Sequence, residues 1–163
     1  MPNKAQTALD KQEQMPRRKM ALRNWLGLLT SSQLLEKQVR ERFRREYDTT
    51  LPRFDVMAAL AREPEGQTMG EVSRWLLVSS GNVTGIMSRL VTDGLVTRTR
   101  SESDRRSYLV RLSRKGKAEF ERMSTSHEKW VRKMLTGMTR KEMVALDGLL
   151  KKVKVSLARE EAS

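Results

Sequence analysis

The sequence has no cysteine and only one histidine, His127, among its 163 residues. The lack of cysteine excludes disulfides, thiolate metal ligands and regulation by thiol oxidation. It also excludes a zinc site built from histidine and cysteine. A serine–histidine nucleophile would depend on His127 alone, and the sequence has no glycine-rich phosphate loop. We therefore expect a protein that is not an enzyme and that needs no cofactor or metal.

Long apolar runs are missing as well, and acidic residues are outnumbered by basic ones, 20 to 33. No stretch approaches the roughly 18 apolar residues that cross a bilayer, and residues 1–19 lack the apolar segment of a signal peptide. A cytoplasmic location without membrane contact is expected. The net charge is +13, which favours a polyanionic partner such as DNA or RNA. Aromatic residues make up 5% of the chain, which argues against platforms that stack single-stranded bases.

Both ends of the chain are predicted to contribute amphipathic helices around a central region. Residues 1–18 are polar and are predicted to form a mobile basic arm. The helix over 19–47 has more apolar residues than one small core can cover, so part of its face is expected to pack on a second chain. These residues are Leu22, Trp25, Leu26, Leu29, Leu35, Val39 and Phe43. The last helix, after a capping box at Thr139 and Glu142, has a similar apolar stripe. Its members are Met143, Leu146, Leu149, Leu150, Val153 and Leu157.

Two short helices in the middle of the chain are predicted to form a helix-turn-helix. A helix capped by Thr50 precedes them. The first of the pair begins with a capping box of Thr68 and Glu71, and the second is capped by Ser79 or Ser80. The residues predicted to be buried in these three helices are Phe54, Met57, Ala58, Leu60, Val72, Trp75, Leu76, Val83, Ile86, Met87, Leu90 and Val91.

The outer face of the second short helix is small and polar, which permits close approach to the major groove of DNA. Asn82 is a candidate to bind adenine, Arg89 a guanine or a phosphate, and Thr84 a thymine methyl group. Hydroxyl groups at the helix start suit a phosphate. The full set of candidates on this helix is Ser79, Ser80, Asn82, Thr84, Gly85, Ser88 and Arg89. The alternative is a solvated surface helix with a tolerant polar face.

A β-hairpin is predicted directly afterwards, from the alternating segments 95–100 and 108–112. Its turn carries Asp104, Arg105 and Arg106, and Arg98 lies on the first strand. A narrow minor groove attracts arginine, and Asp104 is suitably spaced to orient Arg106. A solvated basic face is the alternative interpretation of these charges.

This order of elements, and the wing sequence Asp104-Arg105-Arg106 followed by residues 110–116, resemble the MarR family of bacterial regulators. The resemblance implies a mainly α fold with a small β-hairpin wing. Residues 50–113 would form a winged helix-turn-helix, within a single domain over 19–163. Residues 19–48 and 114–163 would supply dimerisation helices. It also implies a homodimer on a near-palindromic operator in double-stranded DNA, with Arg106 in the minor groove.

The same resemblance implies a small-molecule effector that releases the DNA. The pattern is most similar to regulators of aromatic-acid breakdown, so an aromatic acid or a hydroxycinnamoyl-CoA thioester is the expected ligand of a repressor. The candidate ligand-binding residues are Trp25, Arg44, Arg53, Met57 and Trp130. The alternatives are core packing for the tryptophans and a solvated surface for the arginines. A basic architectural DNA- or RNA-binding protein without an effector is the alternative function.

Overall fold

The computed structural model describes residues 16–100 and 108–161 of the chain. The described helices are α1 (Arg17–Tyr47), α2 (Leu51–Arg62), α3 (Met69–Leu76), α4 (Ser80–Thr92), α5 (Arg114–Met134) and α6 (Arg140–Glu161). The described strands are β1 (Gln67–Thr68), β2 (Val96–Arg100) and β3 (Tyr108–Leu112). The predicted mainly α fold with a β-hairpin is confirmed, and the sequence missed β1. The proposed arm lies outside the described residues except for its end, because α1 already begins at Arg17.

The three strands form one antiparallel sheet in the order β1-β3-β2. Val96 lies opposite Leu112 and Arg100 lies opposite Tyr108, so β2 and β3 form the predicted hairpin in full register. The two-residue strand β1 pairs with the other edge of β3, where Gln67 lies opposite Val110. The buried side-chain amide of Gln67 donates to the carbonyl of Ala59 at 2.6 Å, which ties this edge to α2.

Backbone contacts divide the chain into two units, Met1–Met123 and Ser124–Ser163. The core of the first unit contains a row of aromatic rings. The Phe43 ring lies 4.6 Å from that of Phe54, which stacks on Phe120 at 5.5 Å. Its largest fully buried side chains are Phe43, Met57, Leu60, Leu90 and Met123. The second unit contains the end of α5 and all of α6.

Predicted helix starts are correct where a side chain can satisfy a backbone donor. Thr68 accepts from the backbone N–H of Glu71, whose carboxylate accepts from the backbone N–H of Thr68 at 2.7 Å. The same reciprocal pair forms at Thr139 and Glu142, where α6 begins. Thr50 occupies the cap position of α2 but makes no side-chain capping bond, so that part of the prediction is wrong.

Several predicted core residues are exposed in the isolated chain. On α1 only Val39 and Phe43 of the predicted stripe are buried, whereas Trp25 remains 59% exposed. Trp75 was predicted to be in the core but is 44% exposed, because it lies beside the Arg62 guanidinium, 5.1 Å from its ring centre. Val91 is exposed too, and Ala58 is only half-buried. The apolar stripe of α6 is exposed throughout: Met143, Leu146, Leu149, Leu150, Val153 and Leu157.

No helix within residues 16–100 and 108–161 combines the length and the apolar character that crossing a membrane requires.

Candidate nucleic-acid interface

Helix α4 presents a small polar face to solvent. Its side chains Val83, Met87 and Leu90 are buried, and Ile86 is half-buried, so the opposite face is left outside. The exposed residues on that face are Gly81, Asn82, Thr84, Gly85, Ser88 and Arg89. Their exposure agrees with the sequence-based expectation. Contact with DNA bases stays a prediction for each of them.

The N-terminal end of α4 has the features of an anion-binding helix end. Ser79 occupies the cap position in an extended conformation, and its hydroxyl makes no capping hydrogen bond. The backbone N–H of Asn82 bonds to the Ser79 carbonyl at 3.1 Å. The positive end of the helix dipole and an exposed serine suit a phosphate at this position.

Three residues after α4 connect it to the wing, and hydrogen bonds from two other helices fix this connection. Arg53 of α2 donates to the Asp93 carboxylate at 2.6 Å. Lys115 donates to the Asp93 carbonyl at 2.9 Å, and the Ser113 hydroxyl donates to the Gly94 carbonyl at 2.7 Å. Gly94 has a φ of 71°, which favours glycine at this turn. The end of α4 is therefore held by α2 and by the start of α5.

The start of α5 passes very close to the first residue of the wing. A Cβ added to Gly116 would lie 1.9 Å from the Leu95 carbonyl oxygen, so only glycine fits here. The Ser113 hydroxyl caps the start of α5, where it accepts from the Gly116 N–H at 2.9 Å. The Ser113 N–H bonds to the Leu95 carbonyl at 2.9 Å. Helix α5 and the base of the wing thus share one tightly packed contact.

Two arginines and a tyrosine form a cluster on the wing strands. The Arg98 guanidinium lies 3.8 Å from the centre of the Tyr108 ring. A hydrogen bond from Arg100, supported by the charge of Arg100 and then of Arg98, lowers the pKa of the Tyr108 phenol. We call Arg98, Arg100 and Tyr108 the wing cluster. Only Arg98 was a candidate from the sequence. The hairpin register would have revealed the others, because Arg100 lies opposite Tyr108.

The turn between these strands lies outside the described residues. Asp104, Arg105 and Arg106 belong to it, and so does the predicted contact of Arg106 with the minor groove. The side chain of Ser80, the first residue of α4, likewise lies outside them. Their roles stay predictions.

The five predicted ligand-binding residues have different surroundings. Trp25 and Arg44 are exposed on α1, whereas Met57 is only 1% exposed in the core. Arg53 is engaged by Asp93, and Trp130 is buried in the second unit. None of the five lines the cavity that α1 and α4 share with α2 and α3, so their shared role in ligand binding stays a prediction.

This cavity, which we call the Asp55 cavity, has a volume of about 450 Å³ and lies among α1, α2, α3 and α4. Its apolar lining includes Val56, Leu76, Val83 and Ile86. Its polar lining consists of Glu36, Arg40, Asp55 and Asn82. Glu36 and Arg40 form an ion pair with each other. The pKa of Asp55 is raised to about 6, mainly by burial and also by the negative charge of Glu36, while Arg40 opposes both.

Within the described ranges, no group of three or more acidic or histidine side chains comes together in a way that could hold a metal ion. His127 is half-buried in α5, and burial lowers its pKa.

The comparisons with known proteins agree with this geometry. Residues 47–107 match the model of the MarR family. A MarR family transcriptional regulator from Silicibacter pomeroyi has a similar structure, with a TM-score of 0.74 and 29% sequence identity. The alignment covers 88% of this chain and 99% of that one. The chain is thus similar to MarR family regulators in sequence over residues 47–107, and its fold matches that of MarR winged-helix proteins.

Two curated relatives of this MarR-like chain are transcriptional regulators. BadR of Rhodopseudomonas palustris, a transcriptional activatory protein, is 36% identical over 74 residues, which cover 44% of this chain and 42% of BadR. The HTH-type regulator PecS of Dickeya dadantii is 26% identical over 134 residues, which cover 81% of each chain. The alignment therefore spans less than half of BadR and most of PecS.

Proposed function

We propose that the protein is a homodimeric, sequence-specific DNA-binding transcriptional regulator. Helix α4 is the recognition helix and the β2–β3 hairpin is the wing. The observation that carries this proposal is the small polar face of α4, held by hydrogen bonds beside a strand pair that bears arginines. The net charge of +13 supplies the attraction to phosphates.

The residues of the interface fall into two roles. Asn82 and Arg89 read base edges from α4, while Ser79 and the end of the helix bind a phosphate. Arg98 and Arg100 face the DNA backbone from the wing. Thr84, Gly85 and Ser88 permit the helix to approach the groove closely, since they present little bulk.

The apolar residues exposed on α1 and α6 support dimerisation. The exposed fractions of Trp25 and Leu149 are both 59% in the isolated chain, a large exposure for such side chains. A homodimer would bury these stripes and would place two α4 helices on a near-palindromic operator. In this proposal residues 19–48 and 114–163 act as the dimerisation helices and residues 50–113 as the DNA-binding region.

Specific and non-specific contacts can be separated with two variants and a control. Asn82→Ala is expected to weaken binding to the operator by about 1–3 kcal/mol and to leave random DNA unaffected. Arg98→Ala is expected to weaken both and to lower the salt slope of binding by about one. Lys152→Ala, an exposed change on α6, should alter neither.

The measurement is fluorescence anisotropy with the protein's own upstream DNA and a shuffled duplex of equal composition, both titrated at the same series of salt concentrations. A clear preference for the upstream DNA supports the regulator. Equal affinity for both duplexes at every salt concentration would favour the second candidate, a basic architectural DNA- or RNA-binding protein, which the charge of +13 also fits.

Release of DNA by an effector completes the proposal. The resemblance to regulators of aromatic-acid breakdown supports an aromatic acid or a hydroxycinnamoyl-CoA thioester as the effector of a repressor. Titration of the protein–DNA complex with p-coumaroyl-CoA, p-coumarate and free CoA tests this part. Release by the thioester alone supports it, and a complex that withstands all three ligands contradicts this effector class.

A further inference from the structure

The side chain of Asp55 is an unusual group to find in the wall of an apolar cavity. It lies on α2, half-buried, beside Val56, which is only 1% exposed. Among the described residues no donor forms a hydrogen bond or an ion pair with its carboxylate. Its oxygens are not sealed from solvent, so a ligand with a hydrogen-bond donor can replace water at this carboxylate.

Asp55 is the charged residue of the cavity lining whose charge is not compensated by a neighbouring opposite charge. Arg40 on α1 is held by Glu36, one helical turn earlier, so these two opposite charges balance each other. Both lie at the rim, where their side chains are 59% and 49% exposed. The lining contributed by α3 and α4 carries no charged residue. The charged lining therefore has one net negative charge, although the chain as a whole is strongly basic.

The remaining surfaces of the cavity are suited to a hydrocarbon or an aromatic ring. Val83 and Leu76 contribute apolar walls, and the volume of about 450 Å³ falls within the range of small-ligand sites. Such a cavity suits a ligand that has an apolar body and one hydrogen-bond donor directed to the Asp55 carboxylate.

We propose that the Asp55 cavity binds a small organic cation, an apolar molecule with one protonated amine that donates to Asp55. The ligand class differs from the aromatic anion considered above, because an anion would meet the unpaired carboxylate at like charge. Asn82 lines this cavity and also stands on the polar face of α4. A ligand that forms a hydrogen bond with the Asn82 amide competes with the proposed contact between Asn82 and a DNA base. This regulatory part rests on the proposed DNA-binding function, whereas the binding part does not.

The ionisation of Asp55 gives the binding a definite dependence on pH. The pKa of Asp55 is raised to about 6, and a bound cation favours the ionised carboxylate. The groups that face Asp55 are Glu36 and Arg40, both on α1. Protonation of Asp55 removes the partner of the amine. Affinity is therefore expected to fall by about tenfold from about pH 7.5 to about pH 5.

The experiment is isothermal titration calorimetry on the full chain without DNA. Three probes share one ring and differ in charge: phenethylammonium, the neutral 2-phenylethanol and the anion 3-phenylpropionate. The cation is expected to bind at least about tenfold more tightly than either analogue. Asp55→Asn should abolish this preference and its pH dependence, whereas Glu41→Gln, an exposed carboxyl change on α1, should leave both intact.

Each outcome bears on one proposal. Tighter binding of the neutral or anionic probe, or cation binding that does not change with pH in the unaltered chain, overturns the cation site. Operator affinity is measured separately, without any probe. If the cation binds while no DNA sequence is preferred, the cavity stands as a ligand site and the DNA-binding proposal fails. If the operator binds and the cation does not, the cation site alone is wrong.

Discussion

The ion pair between Arg53 and Asp93 offers a quantitative test of how α4 is held. It joins the first turn of α2 to the C-terminal cap of α4 at 2.6 Å. The Arg53 side chain is 23% exposed and that of Asp93 is 46% exposed, so solvent screens the pair only in part. We expect Arg53→Ala to loosen the end of the recognition helix without disturbing the core.

The expected loss follows from two contributions. An exposed ion pair stabilises by about 0.2–1 kcal/mol, and the partial shielding of this one places it near the upper end. Asp93 also lies at the negative end of the α4 dipole, where an uncompensated carboxylate costs about 0.3–1 kcal/mol. Arg53→Ala should therefore reduce the free energy of unfolding by about 1–2 kcal/mol. Asp93→Asn should cost less, because it removes the charge that the dipole disfavours.

A double-mutant cycle by urea unfolding, at one protein concentration, measures the coupling between the two residues. The pair of Asp147 and Lys151 on α6 is a matched control, with the same 2.6 Å separation but with side chains 63% and 72% exposed. We expect a coupling of about 1 kcal/mol for Arg53 and Asp93, and about 0.3–0.5 kcal/mol for the control. A coupling no larger than that of the control would refute the reasoning.

Three further predictions concern glycines and the wing cluster. Gly116→Ala should destabilise the fold by about 3 kcal/mol, measured by urea unfolding, because the added methyl group meets the Leu95 carbonyl. Gly85→Ala should instead stabilise α4 by about 0.5–1 kcal/mol, since nothing lies near its Cβ, yet weaken operator binding in the anisotropy assay. Tyr108 should ionise below its ordinary pKa of 10.0 in an ultraviolet titration, and Arg100→Ala should raise its pKa back toward that value, with Arg98 still lowering it. An unchanged titration in this variant would contradict the wing cluster.

Local signals in the sequence predicted most of the elements correctly. The capping boxes at Thr68 and Thr139 work within four residues, so no distant contact is needed to recognise them. The alternation of the hairpin strands is similarly local. The sequence missed β1 because two residues carry no periodicity, and their pairing with β3 depends on a segment about forty residues away.

The incorrect predictions concern burial and side-chain pairing. A tryptophan at a helical core spacing was predicted to be buried, but Trp75 instead packs its exposed ring beside Arg62. The ligand-binding role of Arg53 stays a prediction, but the sequence did not predict its pairing with Asp93, 40 residues further along the chain. Such pairings depend on how helices meet in space, which periodicity does not specify. The Asp55 cavity was missed for the same reason, because four helices contribute to it.

The contacts around residues 93–95 also have a consequence for the order of folding. The bond between Ser113 and Gly94 spans 19 residues, most of which form the wing, whereas the bond between Arg53 and Asp93 spans 40. Closing the longer loop costs about 0.6 kcal/mol more in chain entropy, and it also requires α2 and α4 to be packed first. The contact between Ser113 and Gly94 at the base of the wing is therefore expected to form early. The ion pair from Arg53 of α2 to Asp93 is expected to form late. If the Arg53–Asp93 ion pair forms late, it lowers the rate at which the end of α4 opens more than it raises the rate at which α4 forms.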